Sequence, residues 1–115
     1  MRDAIQVLTT TDSPAVAEHI ARTLVEQRLA ACVQVSGPVT SVYRWQGQVE
    51  CAEEWICTIK TTADRCRDVE AQIRTLHPYE EPEILQVPIL GGSATYLAWL
   101  RQQVDTASPP AGQGP

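Results

Sequence analysis

The dipeptide Gln46-Gly47 separates two segments that read as extended for an unusual length. Val39 to Trp45 is rich in β-branched and aromatic residues, and Gln48 to Thr61 continues the pattern. A polar residue followed by glycine between two such runs is a hairpin signal. At about 3.3 Å per residue the second strand alone spans more than about 40 Å. A compact domain of this length is narrower than that. The hairpin must therefore bend, or project and find cover. Val49, Cys51, Trp55, Cys57 and Ile59 give it one largely apolar face, and Ala52 and Ile56 leave the other only partly polar. Trp45 and Trp55 stand on strands that a single chain need not cover fully. The cover is either this chain's own helices or further copies of the chain, and identical copies are the simplest partner for an apolar hairpin. Trp45 and Trp55 are the expected interface residues.

The remaining elements follow from local signals. Residues 4–10 form an apolar first strand, and Ser13-Pro14 reads as a cap and first residue of a helix running to about Gln27. Val16, Ala17, Ile20, Ala21, Leu24 and Val25 repeat at helical spacing, with Glu18, Arg22 and Glu26 opposite. Leu29 to Val35 begins a second strand, which Ser36-Gly37-Pro38 interrupts as a bulge or bend. After the hairpin, a helix to about Leu76 carries Cys66, Val69, Ile73 and Leu76 as its apolar stripe. His77-Pro78-Tyr79-Glu80-Glu81-Pro82-Glu83 is a stiff, polar turn bracketed by prolines. Ile84 to Ile89 is a fourth strand, and Pro88 restricts it to an edge, an end or an irregular pairing. Ser93 caps a short final helix, with Tyr96, Leu97, Leu100 and Val104 on its apolar side and Trp99 off it. Residues 106–115 are Ser, Pro, Gly and Ala rich and are expected to stay disordered beyond a single domain of 1–105. The order is βαββαβ plus a helix, an α+β arrangement with an antiparallel sheet of the ferredoxin-like sandwich type. Helices then cover one sheet face and leave the other bare.

The formal charge of -5, with only nine Lys and Arg residues, argues against nucleic acid or an anionic membrane as partner. No apolar run is long enough to span a membrane, and no signal-peptide core is present, so the expected location is cytoplasmic. The four cysteines, Cys32, Cys51, Cys57 and Cys66, contain no C-x-x-C pair and read as small buried hydrophobes in a reducing compartment. No nucleophile and base can be paired from the sequence, so the chain reads as a non-enzyme. Of the two histidines, His19 lies near a helical polar face, whereas His77 sits in the stiff turn. Glu81 and Glu83 share a face if the chain is extended there, and with His77 they make a nitrogen and oxygen ligand set for copper or zinc, perfected only if the donors converge.

Several stretches taken together resemble one family. Leu29-Ala30-Ala31-Cys32-Val33, Thr40 through Gly47, Ile59-Lys60-Thr61, Leu76-His77-Pro78-Tyr79-Glu80, Pro82-Glu83-Ile84 and Tyr96-Leu97-Ala98-Trp99-Leu100 are similar, in order and spacing, to the divalent-cation tolerance family called CutA. The resemblance implies a ferredoxin-like subunit in a homotrimer, with long hairpins packed around the three-fold axis as in PII signalling proteins. It implies a role in tolerance of copper and other divalent cations, with Cu(II) or a similar ion as the metal. His77 and Cys32 match family positions and are the metal candidates. Where some bacterial members carry a further histidine and a further cysteine, this chain has Leu76 and Thr9. The trimer clefts would hold His77, Tyr79 and Glu81, with Glu83 a further ligand candidate there. A PII-like small-molecule sensor is the alternative, with Lys60 and Arg44 as its basic cleft residues.

Overall fold

The structure, a computed structural model, describes residues 3–105. The expectation of a disordered tail over residues 106–115 lies outside the described residues. Ser13 accepts a hydrogen bond from the Val16 amide at 3.2 Å and Pro14 follows it, so the first helix starts where the cap signal put it. The strands and helices run β1 (Ala4–Thr11), α1 (Pro14–Glu26), β2 (Cys32–Trp45), β3 (Gln48–Thr62), α2 (Cys66–Leu76), β4 (Ile84–Pro88) and α3 (Ala94–Gln103). A single 3-10 turn, Ala63–Arg65, joins β3 to α2. The sheet order is β2-β3-β1-β4, with every neighbouring pair antiparallel. This is the expected α+β sandwich with a C-terminal helix. β4 lies at the edge and ends at Pro88, whose missing amide donor is tolerated there.

Register decides which residues meet the helices. β1 pairs with β3 from Ala4–Thr62 to Thr11–Trp55. Alternation therefore places Ile5, Val7, Cys57 and Ile59 on one face, where they pack with Ala17, Ile20 and Leu24 of α1 and Val69 and Ile73 of α2. The opposite face carries a smaller cluster at one end only, where Leu100 and Val104 close over Ala4 and Ala31. Two arginines tie down the end of α3. Arg28 donates to the carbonyls of Gln102 and Gln103, and Arg65 donates to that of Val104, groups that a helix C-terminus otherwise leaves unpaired. Leu85 and Val87 of β4 stay exposed on this face. Tyr96 is exposed beside Trp99 rather than packed with Leu100, so only part of the expected apolar side of α3 is used.

β2 pairs with β3 along its length, out to Trp45–Gln48, whereas β1 reaches only Trp55. Gln48 to Glu54 thus continues with β2 as a two-stranded ribbon, and the molecule measures 49 × 29 × 22 Å. On the ribbon Val42 is 68% exposed and Val49 64% exposed. The two tryptophans separate here: Trp45 is exposed near the tip, but Trp55 packs against the chain's own core. The four cysteines separate too. Cys57 is fully buried, Cys32 and Cys66 are half-buried, and Cys51 is exposed on the ribbon where no helix reaches.

The register of the ribbon shifts between Ser36 and Val39, at the Ser36-Gly37-Pro38 interruption. Gly37 has φ +149°, and a Cβ there would lie 2.7 Å from Cδ1 of Trp55 and 2.9 Å from the Glu54 carbonyl oxygen. The glycine lets the bent strand lie directly on Trp55. Gly37→Ala is therefore expected to lose on the order of 2 kcal/mol, read from urea unfolding at matched protein concentration. An unchanged midpoint would refute this packing. Thr9 is fully buried, and its hydroxyl has no hydrogen-bond partner among the described residues. Thr9→Val removes that orphaned group at nearly constant shape, and the same measurement should show a gain of about 1 kcal/mol.

Candidate functional site

Pro78 pushes the residue before it out of the helical region, and α2 ends accordingly: His77 is extended at φ -87° and ψ 135°. Its amide still reaches the Ile73 carbonyl at 2.8 Å, which fixes the backbone at the exit of the helix. The side chain turns to β1. Nε2 lies 2.7 Å from the carbonyl oxygen of Thr10, one residue beyond Thr9–Ile84, the final pair between β1 and β4. On the other side of the ring, the Tyr79 amide donates to Nδ1 at 3.1 Å. A carbonyl can only accept and an amide can only donate, so Nε2 carries the proton and Nδ1 is bare. Both nitrogens of a side chain that is only 7% exposed are thereby used within the chain.

The turn then folds back on the histidine. The Tyr79 ring meets the His77 ring at 4.6 Å in an edge arrangement. Its hydroxyl donates to Oε2 of Glu54 on β3 at 3.0 Å. Burial, followed by the hydrogen bond to Glu54 and that group's negative charge, holds the phenol above the usual tyrosine range. Glu54 itself is 7% exposed. The site is thus a closed chain of contacts from Thr10 through His77 and Tyr79 to Glu54. The sequence gives Tyr79 and His77 as candidates but misses Thr10 and Glu54. Thr10 contributes through its backbone, to which side-chain identity is blind. Glu54 left one signal, an acid standing between Ala52 and Ile56 at strand spacing.

The other candidates are not gathered here. Cys32 pairs with Lys60 across β2 and β3, whereas Thr10 beside His77 pairs with Ile56. Four residues along a strand is about 13 Å, so the two metal candidates are held apart. The chain bends at 79–81 instead of running extended, and Glu81 and Glu83 are exposed. Lys60 lies over the ring of Tyr96, in the first turn of α3, with Nζ 6.0 Å from its centre. Arg44 is exposed opposite Val49 on the ribbon. His19 is exposed on α1. Burial pushes the Cys57 thiol up to about 11, and its Sγ donates to the Ala17 carbonyl at 3.6 Å. The Cys66 thiol is also raised, by burial and then by Glu70, and it donates to Gln86. Neither is inclined to form the thiolate that binds metal. Among the described residues no three His, Cys, Asp or Glu side chains converge. The donors of one chain therefore do not fit a metal ion as a ligand set.

Residues 5–103 match the profile of the CutA1 divalent ion tolerance protein family. A divalent-cation tolerance protein CutA from Thermus thermophilus is 46% identical over 84% of this chain and 93% of its own length. The human protein CutA is 40% identical over 81% of this chain, which spans only 52% of that longer protein. A solved structure of the Thermus thermophilus divalent cation tolerance protein superposes with a TM-score of 0.87 at 43% identity, covering 89% of this chain and 99% of that one. With the fold, the long hairpin and the His77-Pro78-Tyr79 turn in place, the chain belongs to the CutA1 divalent ion tolerance family.

Proposed function

We propose that this chain is a non-catalytic, cytoplasmic homotrimer that serves divalent-cation tolerance, with copper the cation concerned. The observation that carries this reading is the ribbon of β2 and β3, which leaves the body of the domain with Val42, Trp45 and Val49 uncovered at its end. A two-stranded ribbon is marginal in water, and such apolar exposure calls for a partner surface. Leu85 and Val87 on the bare sheet face add to the same demand. Three copies are what the sequence resemblance implies, and a closed ring of copies would use each ribbon once as donor and once as acceptor of cover. Four free cysteines support a reducing compartment. Since one chain's donors do not converge, the cation contacts are assigned to surfaces of the assembly. In the single chain the carboxylates of Glu81 and Glu83 are exposed, which makes them the candidates for such contacts.

Native mass measurement is expected to give three times the chain mass of 12.7 kDa. Replacing Trp45 and Val49 together with glutamate should return the monomer mass, because a charge on each strand of the ribbon cannot be buried against a neighbour. A wild-type monomer or dimer would overturn the assembly. Titration of Cu(II) into the trimer should show binding that weakens at least tenfold in Glu81→Gln/Glu83→Gln, and an unaltered isotherm would remove the turn carboxylates from the reading.

A further inference from the structure

We infer that His77 is a positioning residue that continues the sheet beyond β4, and that it does not ligate metal in this protein. This goes beyond the tolerance role proposed above and does not depend on whether copper binds elsewhere. An imidazole ligates through an unprotonated nitrogen with a free lone pair. Nε2 has no such pair, because its proton is held by the Thr10 carbonyl at 2.7 Å. Nδ1 has one, but the Tyr79 amide occupies it at 3.1 Å. A metal at Nδ1 would expel that amide, and a metal at Nε2 would leave the Thr10 carbonyl unpaired in a half-buried place. Either event would also loosen the turn that holds the Tyr79 hydroxyl on the Glu54 carboxylate. That carboxylate is almost wholly buried, so losing its donor compounds the cost.

The positive role follows from where pairing stops. β4 begins at Ile84, and its last partner on β1 is Thr9. The imidazole donates to the next carbonyl, that of Thr10, as a further strand residue would, while its other edge accepts an amide. The ring thus stands in for a short piece of backbone with one donor and one acceptor. It joins the end of β1 to the turn 77–83 and, through Tyr79, to β3. The companion positions agree: Leu76 packs against the core and Thr9 is inside it, so neither presents a donor beside the ring to an ion from solvent.

The test uses the full-length protein and long-range nitrogen–proton NMR of its two imidazoles, with Zn(II) as a diamagnetic probe. His77 should show protonated Nε2 and bare Nδ1, unchanged by excess Zn(II), with exposed His19 as the internal reference. Calorimetry should give the same Cu(II) stoichiometry for wild type and His77→Gln, since the glutamine amide can keep the donor to Thr10. His77→Ala should lower the thermal midpoint by about 5 °C or more, and His77→Gln by less. A His77 nitrogen signal that moves on Zn(II) addition overturns the assignment. So does the loss of bound Cu(II) in His77→Gln with the thermal midpoint retained. If wild type binds no Cu(II), the copper clause of the proposed function fails, and the tautomer and the thermal ranking of the variants still decide the role of His77.

Discussion

The strand β3 is longer than the domain that holds it, and much of the molecule follows from that mismatch. From Ile56 to Lys60 it is paired on both sides, to β1 and to β2. From Gln48 to Glu54 it has only β2. The inner part carries Cys57 and Ile59 into the core, where burial is complete. The outer part has no helix over it, and its apolar side chains face outward. Hydrophobic burial stabilises in proportion to the area removed from water, so the outer ribbon is stable only if something else removes that area. The register shift at Gly37 marks the transition, because it lets β2 follow the bend and seat on Trp55.

The polar turn solves a different problem. An edge strand shorter than its neighbour leaves backbone groups of that neighbour unpaired, and unpaired buried groups are costly. β4 stops short of the end of β1, and the chain fills the gap with a side chain instead of more strand. Proline on both sides of the turn limits the conformations it must give up, so the histidine is delivered with little freedom left. Glu54 is the cost of this arrangement, a nearly buried carboxylate; burial of the phenol first, then the hydrogen bond and charge of Glu54, keep the Tyr79 hydroxyl protonated and donating.

The family and the local site have different kinds of support. Family membership rests on likeness along most of the chain, and so does the fold. The chemistry of His77 rests on two hydrogen bonds whose directions are dictated by the partners. A histidine beside Pro-Tyr in a polar turn looks like a ligand when only residue types are considered. The same residue is a backbone mimic once its neighbours are known. Among the described residues no ligand set converges inside one chain, which is why the cation contacts are proposed to lie elsewhere.

By itself the sequence determined the order of the elements and most of their bounds, although β2 begins at Cys32 and not at Leu29, and β4 ends at Pro88 and not at Ile89. Ser13 and Ser93 cap their helices, Pro88 ends an edge strand, and Gly37-Pro38 breaks β2 as read. Those signals are local: a cap, a proline or a period acts within a few residues of itself. Tertiary structure decided that Trp55 is core while Trp45 is bare, that Cys51 is exposed, and that Tyr96 lies outside the apolar seam of α3. It also decided the partners of His77 and Tyr79, which lie 67 and 25 residues away in the chain. Strand register brings such residues together, and register is fixed by the packing of the whole sheet against its helices. No window of neighbouring residues contains that information, which is why the turn was legible as a special place and its role was not.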